Sequence, residues 1–364
     1  MNKSLINILT ACALLLSSQV SSAEQNGQER HGGKARSFKA RAFYGDKVLN
    51  RVVAIDVHKM KLAGTVKTEL TPYPVDQAGT LDKVYAITRG ANSIDVITAD
   101  SLENLGLIEL EHLPRSGESY NARLGLALIA GANKAMTSVI DVTNDTVVAT
   151  AGINLETKQT EDNGGTLSSG HPAWLSKDRF VVIDRVNRVI QLYGIEKIQG
   201  EGFDYTWEVT YLDEVATPTS VHHILHRNLA QLSQHDKRTF YALAEGSANT
   251  GIHPGILKLR LHKNDRLTLD EQVYFDRFDA AIMSSHHADF HPDGKHIYAG
   301  SAEGHLFVID SANMSIKKVI ETGKGTGHTR FVPEKNLAIV TNHNDTFLTV
   351  INSKRHRKIK NVTV

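Results

Sequence analysis

Cysteine is almost missing from this chain. There is one in 364 residues, Cys12, and it lies in the apolar leader. A mature chain beginning after that leader has no thiol. That excludes a disulfide framework, a thiolate nucleophile, a thiolate-held zinc and a blue-copper centre, which requires a Cys ligand. Long apolar runs are equally scarce. Residues 5–16 form one, and nothing after it is apolar enough to span a bilayer. An excess of either charge is also missing, with 41 Lys and Arg against 40 Asp and Glu, so no basic face for nucleic acid is expected. The short basic run at 354–360 reads as a solvated outer strand. No Gly-rich phosphate loop, nucleophile elbow or HExxH motif is present.

What is present begins with an export signal. Lys3 gives a positive start, residues 5–16 are apolar, and Ser21-Ser22-Ala23 is a small-residue cleavage site. Residues 1–23 are therefore expected to be removed, giving a periplasmic or secreted protein. Leu9-Thr10-Ala11-Cys12 also fits a lipoprotein signal, which would anchor the chain at Cys12. Residues 24–37 are polar, Gly-rich and aperiodic, the composition of a disordered leader.

From residue 38 onward, short β-branched runs alternate with Gly, Asn and Asp, an all-β pattern. Residues 284–310 and 325–351 share one plan. It runs from a His-bearing loop through a short strand, a Pro-plus-acid turn, an apolar strand and a polar loop to a second apolar strand. Residues 170–194 repeat it more faintly. Seven such units begin near Arg36, Tyr73, Ser119, Gly170, Pro218, Ser285 and Gly327. Most have the length of a four-stranded propeller blade. A closed seven-bladed β-propeller over 38–364 is expected, because closure removes most open sheet edges. The first unit has no clear inner strand, the fifth carries an insertion near 225–237, and residues 224–234 are an ambiguous helical patch.

Pro292-Asp293-Gly294 followed by Phe307-Val308-Ile309-Asp310 resembles the YVTN-type seven-bladed propellers of exported bacterial proteins. Residues 338–342 and 348–352 are similar. The paired histidines His222-His223 and His286-His287 resemble those of the His-rich propeller of nitrous oxide reductase. The haem d1 propeller of cytochrome cd1 is a further metal-bearing relative of the architecture. The resemblance implies a fold and not a chemistry.

All eighteen histidines follow residue 23. His171, His287 and His328 occupy one place in the repeat, three residues before Trp174, Phe290 and Phe331, three aromatics expected to pack between blades. His222 or His223 takes that place in the fifth unit, and Asp76 and Asn121 take it in the second and third. Propeller topology puts these positions at the mouth of the central channel. A second tier is expected from the loop between strands two and three, where His343 aligns with Asp184 and Arg89. Glu245 and His253 belong to that loop in unit five, and His305 in unit six. Imidazoles and carboxylates converging without thiols suit Zn²⁺ or Cu²⁺. The candidate ligands are His171, His222, His223, His286, His287, His328 and His343, with Asp184 and Glu245. His291 and His296 are placed toward the opposite face in structural roles. His58, His112, His235, His262 and His356 are expected on the solvated surface.

Three functions fit. The first is a metal-binding propeller for storage, delivery or sensing, serving a periplasmic transporter or metalloprotein partner. The second is a redox or hydrolytic enzyme using the same histidines, with a metal or a haem-like cofactor. The third is a metal-free scaffold for protein binding.

Overall fold

The computed structural model describes residues 41–77, 82–156, 169–201, 204–225, 238–247, 250–276, 285 and 287–363. The export signal, the leader, the patch and insertion at 226–237, His235 and His286 lie outside them. The described residues form seven antiparallel sheets arranged as a seven-bladed β-propeller. The one helical element described from end to end is a single 3₁₀ turn, Pro333–Lys335.

Blades two to seven each have four strands in chain order, running 72–109, 114–156, 173–216, 221–274, 288–321 and 326–363. Each begins close to a repeat boundary expected from sequence. Blade one shows three strands, Arg41–Asp46, Arg51–Asp56 and Lys61–Lys67. Its last pair slips register between Ala54 and Ile55, and the strand-three–strand-four pairs of all the other blades slip in the corresponding place. The three described strands therefore correspond to strands two to four of the other blades.

The core lies between blades. Strands two and three are buried on both faces, which is why they read as continuous apolar runs such as Phe180–Ile183 rather than as alternating ones. Six apolar clusters each join two consecutive blades. Trp174, Phe290 and Phe331 pack against three of them, as expected. Fourth strands are mostly exposed, Arg357–Thr363 throughout. The solvated reading of the basic tail follows from that position.

Inner strands are tied to one another by side chains. Asp76 Oδ2 accepts the Gly117 amide at 3.1 Å, Ser119 Oγ the Trp174 amide at 3.2 Å, and Asp289 Oδ2 the Thr329 amide at 3.0 Å. Asp76 is thus a link between blades. Asn121 is not at the mouth either. It ends its strand at the opposite face, where its Oδ1 accepts the amides of Arg123 and Leu124. The sequence alignment placed it one strand length too far along.

Candidate metal site at the channel mouth

Inner strands carry an extra residue at their mouth end. The pairing of strand one with strand two slips by one residue in blades two, five and seven, and twice in blade three. Such bulges leave a residue unpaired and re-aim side chains. In blade five the slip lies between Val221 and His223, so His222 and His223 both turn inward instead of to opposite sides. His171 pairs in parallel with His223, and its amide donates to the His222 carbonyl at 2.9 Å. Blades four and five are stitched together at this point.

Six imidazoles from four consecutive blades then form one contact chain. Ring centroids are 5.2 Å apart for His171–His222, 3.8 Å for His171–His223 and 4.5 Å for His222–His223. The chain continues through His223–His287 at 4.5 Å, His287–His328 at 3.4 Å and His328–His343 at 6.0 Å. His222, His223 and His287 are buried. His171, His222 and His223 bring one ligand nitrogen each within 4.8 Å of one another. His343 is held over the backbone of Gly327. A Cβ built on that glycine would lie 2.3 Å from His343 Nε2, so only glycine admits this approach. Burial pushes the His343 pKa down, because desolvation penalises the charged ring.

Glu245 sets the tautomer of His222. Its Oε1 lies 2.9 Å from His222 Nδ1, and a carboxylate can only accept, so the proton is on Nδ1 and Nε2 is the accepting nitrogen of the ring. Arg185 grips the same carboxylate at 2.7–3.1 Å, with both side chains buried. The Arg115 guanidinium lies within 3.3 Å of both His222 nitrogens and donates to the Ser169 carbonyl at 2.7 Å. A carboxylate orienting a ligating histidine is the usual second layer of a metal site.

Asp184 is not brought to this cluster. Its Oδ1 accepts the amides of Val186 and Asn187 and its Oδ2 the Asn187 side chain, so it caps the turn. The neighbouring Arg185 reaches the site instead. Sequence reasoning missed Arg115 and Arg185. The signal for Arg185 was its place in the loop where a second tier was expected, one residue beyond Asp184. His305 packs against Phe307 at a centroid distance of 6.4 Å.

Two histidines expected on the solvated surface are not there. His112 is fully buried, with Nε2 2.9 Å from Ser138 Oγ and Nδ1 3.1 Å from the Leu113 carbonyl. Desolvation lowers its pKa. His356 is half-buried on the face opposite the mouth, packed against His291, His296 and Tyr298. A surface prediction fails for both because each sits where one blade covers a turn or strand end of another. His58 is exposed, and His262 Nε2 meets the Thr268 hydroxyl at 2.9 Å.

No protein-family model matches this chain, and no curated protein sequence matches it. Solved structures do. The computationally designed Ika8 protein superposes with a TM-score of 0.61 at 10% identity, covering 88% of this chain and 83% of its own. A putative 6-phosphogluconolactonase of Bacteroides fragilis gives 0.58 at 12% identity, covering 86% and 90%. Hydrazine synthase of Kuenenia stuttgartiensis gives 0.54 at 11%, covering 85% and 92%. Likeness at this identity shows the fold alone.

Proposed function

We propose that this chain is an exported, metal-binding β-propeller that takes Cu²⁺ or Zn²⁺ at the channel mouth and acts in metal storage, delivery or sensing. The observation that supports this most is the contact chain of six imidazoles with Glu245 on the Nδ1 of His222. Two imidazolium charges about 4 Å apart repel by about 4 kcal/mol at an effective dielectric near 20. A row of rings this close therefore cannot carry a proton on every member. It pools neutral nitrogen lone pairs, and a cation that several of them share relieves the crowding. Nitrogen donors without thiolates select zinc or copper over magnesium or calcium. The ion would be held by His171, His222 and His223, with His287, His328 and His343 extending the array. The signal-like pattern of residues 1–23 supports a proposed location in the periplasm or outside the cell, where a transporter or metalloprotein would exchange the ion.

The test is elemental analysis of the full chain recovered from the periplasmic fraction, beside the double variant His223→Ala/His287→Ala. The parent should carry copper or zinc that the variant lacks, while both give the same β-rich circular dichroism. Equal metal content in the two proteins would overturn the reading and leave the scaffold function.

A further inference from the structure

The mouth face differs around the ring. Blades four to seven carry the imidazoles, and blades one and two carry an exposed apolar rim. Three segments build that rim. They are the turn at 47–50 in blade one, the linker at 68–71, and the start of the blade-two inner strand, Pro72–Gln77. The turn at 47–50 corresponds to a loop between strands two and three, as does the blade-two loop that opens with Arg89. Both lie on the mouth face. Hydrogen bonds fasten the segments together. The Asn50 carbonyl accepts the Thr68 amide at 3.0 Å, and Asn50 Oδ1 accepts the Thr71 amide at 2.9 Å. The Leu70 carbonyl accepts the Gly90 amide at 3.1 Å.

Large apolar side chains are exposed here in graded order: Val48 by 87%, Leu49 by 58%, Leu70 by 52% and Tyr73 by 41%. Single exposed apolar residues are ordinary, but several on adjoining segments mark a contact surface. The tip that carries the two most exposed ones is held in shape. Asp46 Oδ1 accepts the amides of Val48 and Leu49 at 3.2 and 3.1 Å. The charges beside it lean positive. Asp46 and Arg51 pair with each other at 3.0 Å, which leaves Lys47 and Lys67 against Glu69. The Lys47 ammonium lies 3.9 Å from the centre of the Tyr73 ring. Aliphatic groups thus stand outermost, with a tyrosine and lysines set back behind them. That is the order of chemistry across a lipid interface, hydrocarbon first and then the headgroup level of aromatic rings and snorkelling cations. A protein-binding patch is instead centred on aromatic or Arg anchors.

We infer that the rim of blades one and two is a peripheral membrane contact, in which Val48 and Leu49 enter the hydrocarbon edge of an anionic bilayer while Tyr73 and Lys47 sit among the headgroups. The unpaired lysines match the negative charge of such a surface, and the apolar tip supplies the part of the binding that salt does not screen. The contact is independent of any ion at the imidazoles.

The test sediments the protein recovered from the periplasmic fraction with vesicles of phosphatidylcholine, alone or with added phosphatidylglycerol. The parent should bind the anionic vesicles and bind the neutral ones less. Val48→Ser/Leu49→Ser should bind both about tenfold or more weakly, because less apolar area leaves water. Lys47→Gln should lose about fivefold on anionic vesicles and keep its binding to neutral ones. If the serine variant fails to fold, Leu49→Trp decides, and its emission should shift to the blue on anionic vesicles. No sedimentation of the parent with either vesicle, equal sedimentation of parent and serine variant, or an unmoved Leu49→Trp emission would overturn the inference and leave the rim to a protein partner.

Discussion

The two histidine clusters lie on opposite faces of one ring and are made in different ways. At the mouth, six imidazoles come from the inner-strand starts and one loop of four blades, with neighbouring rings as close as 3.4 and 3.8 Å. On the other face, three imidazoles come from two turns, no two centroids closer than 4.6 Å, each with its Nδ1 against an anchoring oxygen. Inner strands converge on an axis, so anything repeated at their starts is crowded together. Turns on the far face do not converge, and a cluster there needs side chains that aim it. The first cluster follows from symmetry of the repeat and the second from local hydrogen bonding.

That contrast can be broken from the mouth side first. Arg185 and Glu245 are a buried ion pair, and removing one partner of such a pair costs about 3–5 kcal/mol. Arg185→Ala should lose that much stability in urea unfolding. Asp293→Asn on the exposed far-face turn should lose under about 1 kcal/mol, because the amide oxygen can still cap the turn. Similar losses for the two variants would mean that the mouth is no more dependent on buried charge than the turn.

A smaller effect concerns the tautomer. Glu245→Gln removes the obligate acceptor from His222 Nδ1 and should weaken copper or zinc binding at the mouth about 10–100-fold, read by competition with a chelator. Binding that stays as tight would show that His222 is not a ligand.

The far face has its own pH signature. Burial first, then the like charges of His296 and His291, hold His356 at about 4, below the usual histidine value near 6.5. The unfolded chain takes up this proton first. The contribution to stability is therefore full above about pH 6.5 and falls away as pH drops toward 4. On chelator-stripped protein, His356→Gln should flatten that part of the stability profile relative to the parent. Two parallel profiles would refute the assigned environment.

The smallest effect is expected at Gly327→Ala. The new Cβ meets the end of the His343 ring and the Thr341 hydroxyl but no backbone, so stability should change by under about 1 kcal/mol while His343 swings away from His328. Nuclear magnetic resonance of the His343 ring should show the displacement, and an unmoved ring would deny the close approach.

Much of the fold was legible because propeller blades repeat a local code. Turn residues, two-sided burial of strands two and three, and spacing are all properties of neighbouring residues, and they placed the blade starts within a few residues. The register of His171, His287 and His328 was legible for the same reason. The loop tier was legible only to within one residue, which is why Asp184 was expected where Arg185 stands. Asn121 was misplaced because blade three slips register twice along its inner strand, and no sequence pattern marks where an extra residue is absorbed.

The sequence by itself determined an all-β repeat, a single cysteine that lies outside that repeat, and a histidine recurring at one blade position. Only the tertiary structure decided what each imidazole touches. His222 meets Arg115 from 107 positions away, and His356 meets Tyr298 from 58 positions away. These contacts arise because bulges turn side chains off the regular alternation and ring closure brings distant blades side by side. Neither the turn of a bulge nor the curvature of a ring is a property of any one segment of chain.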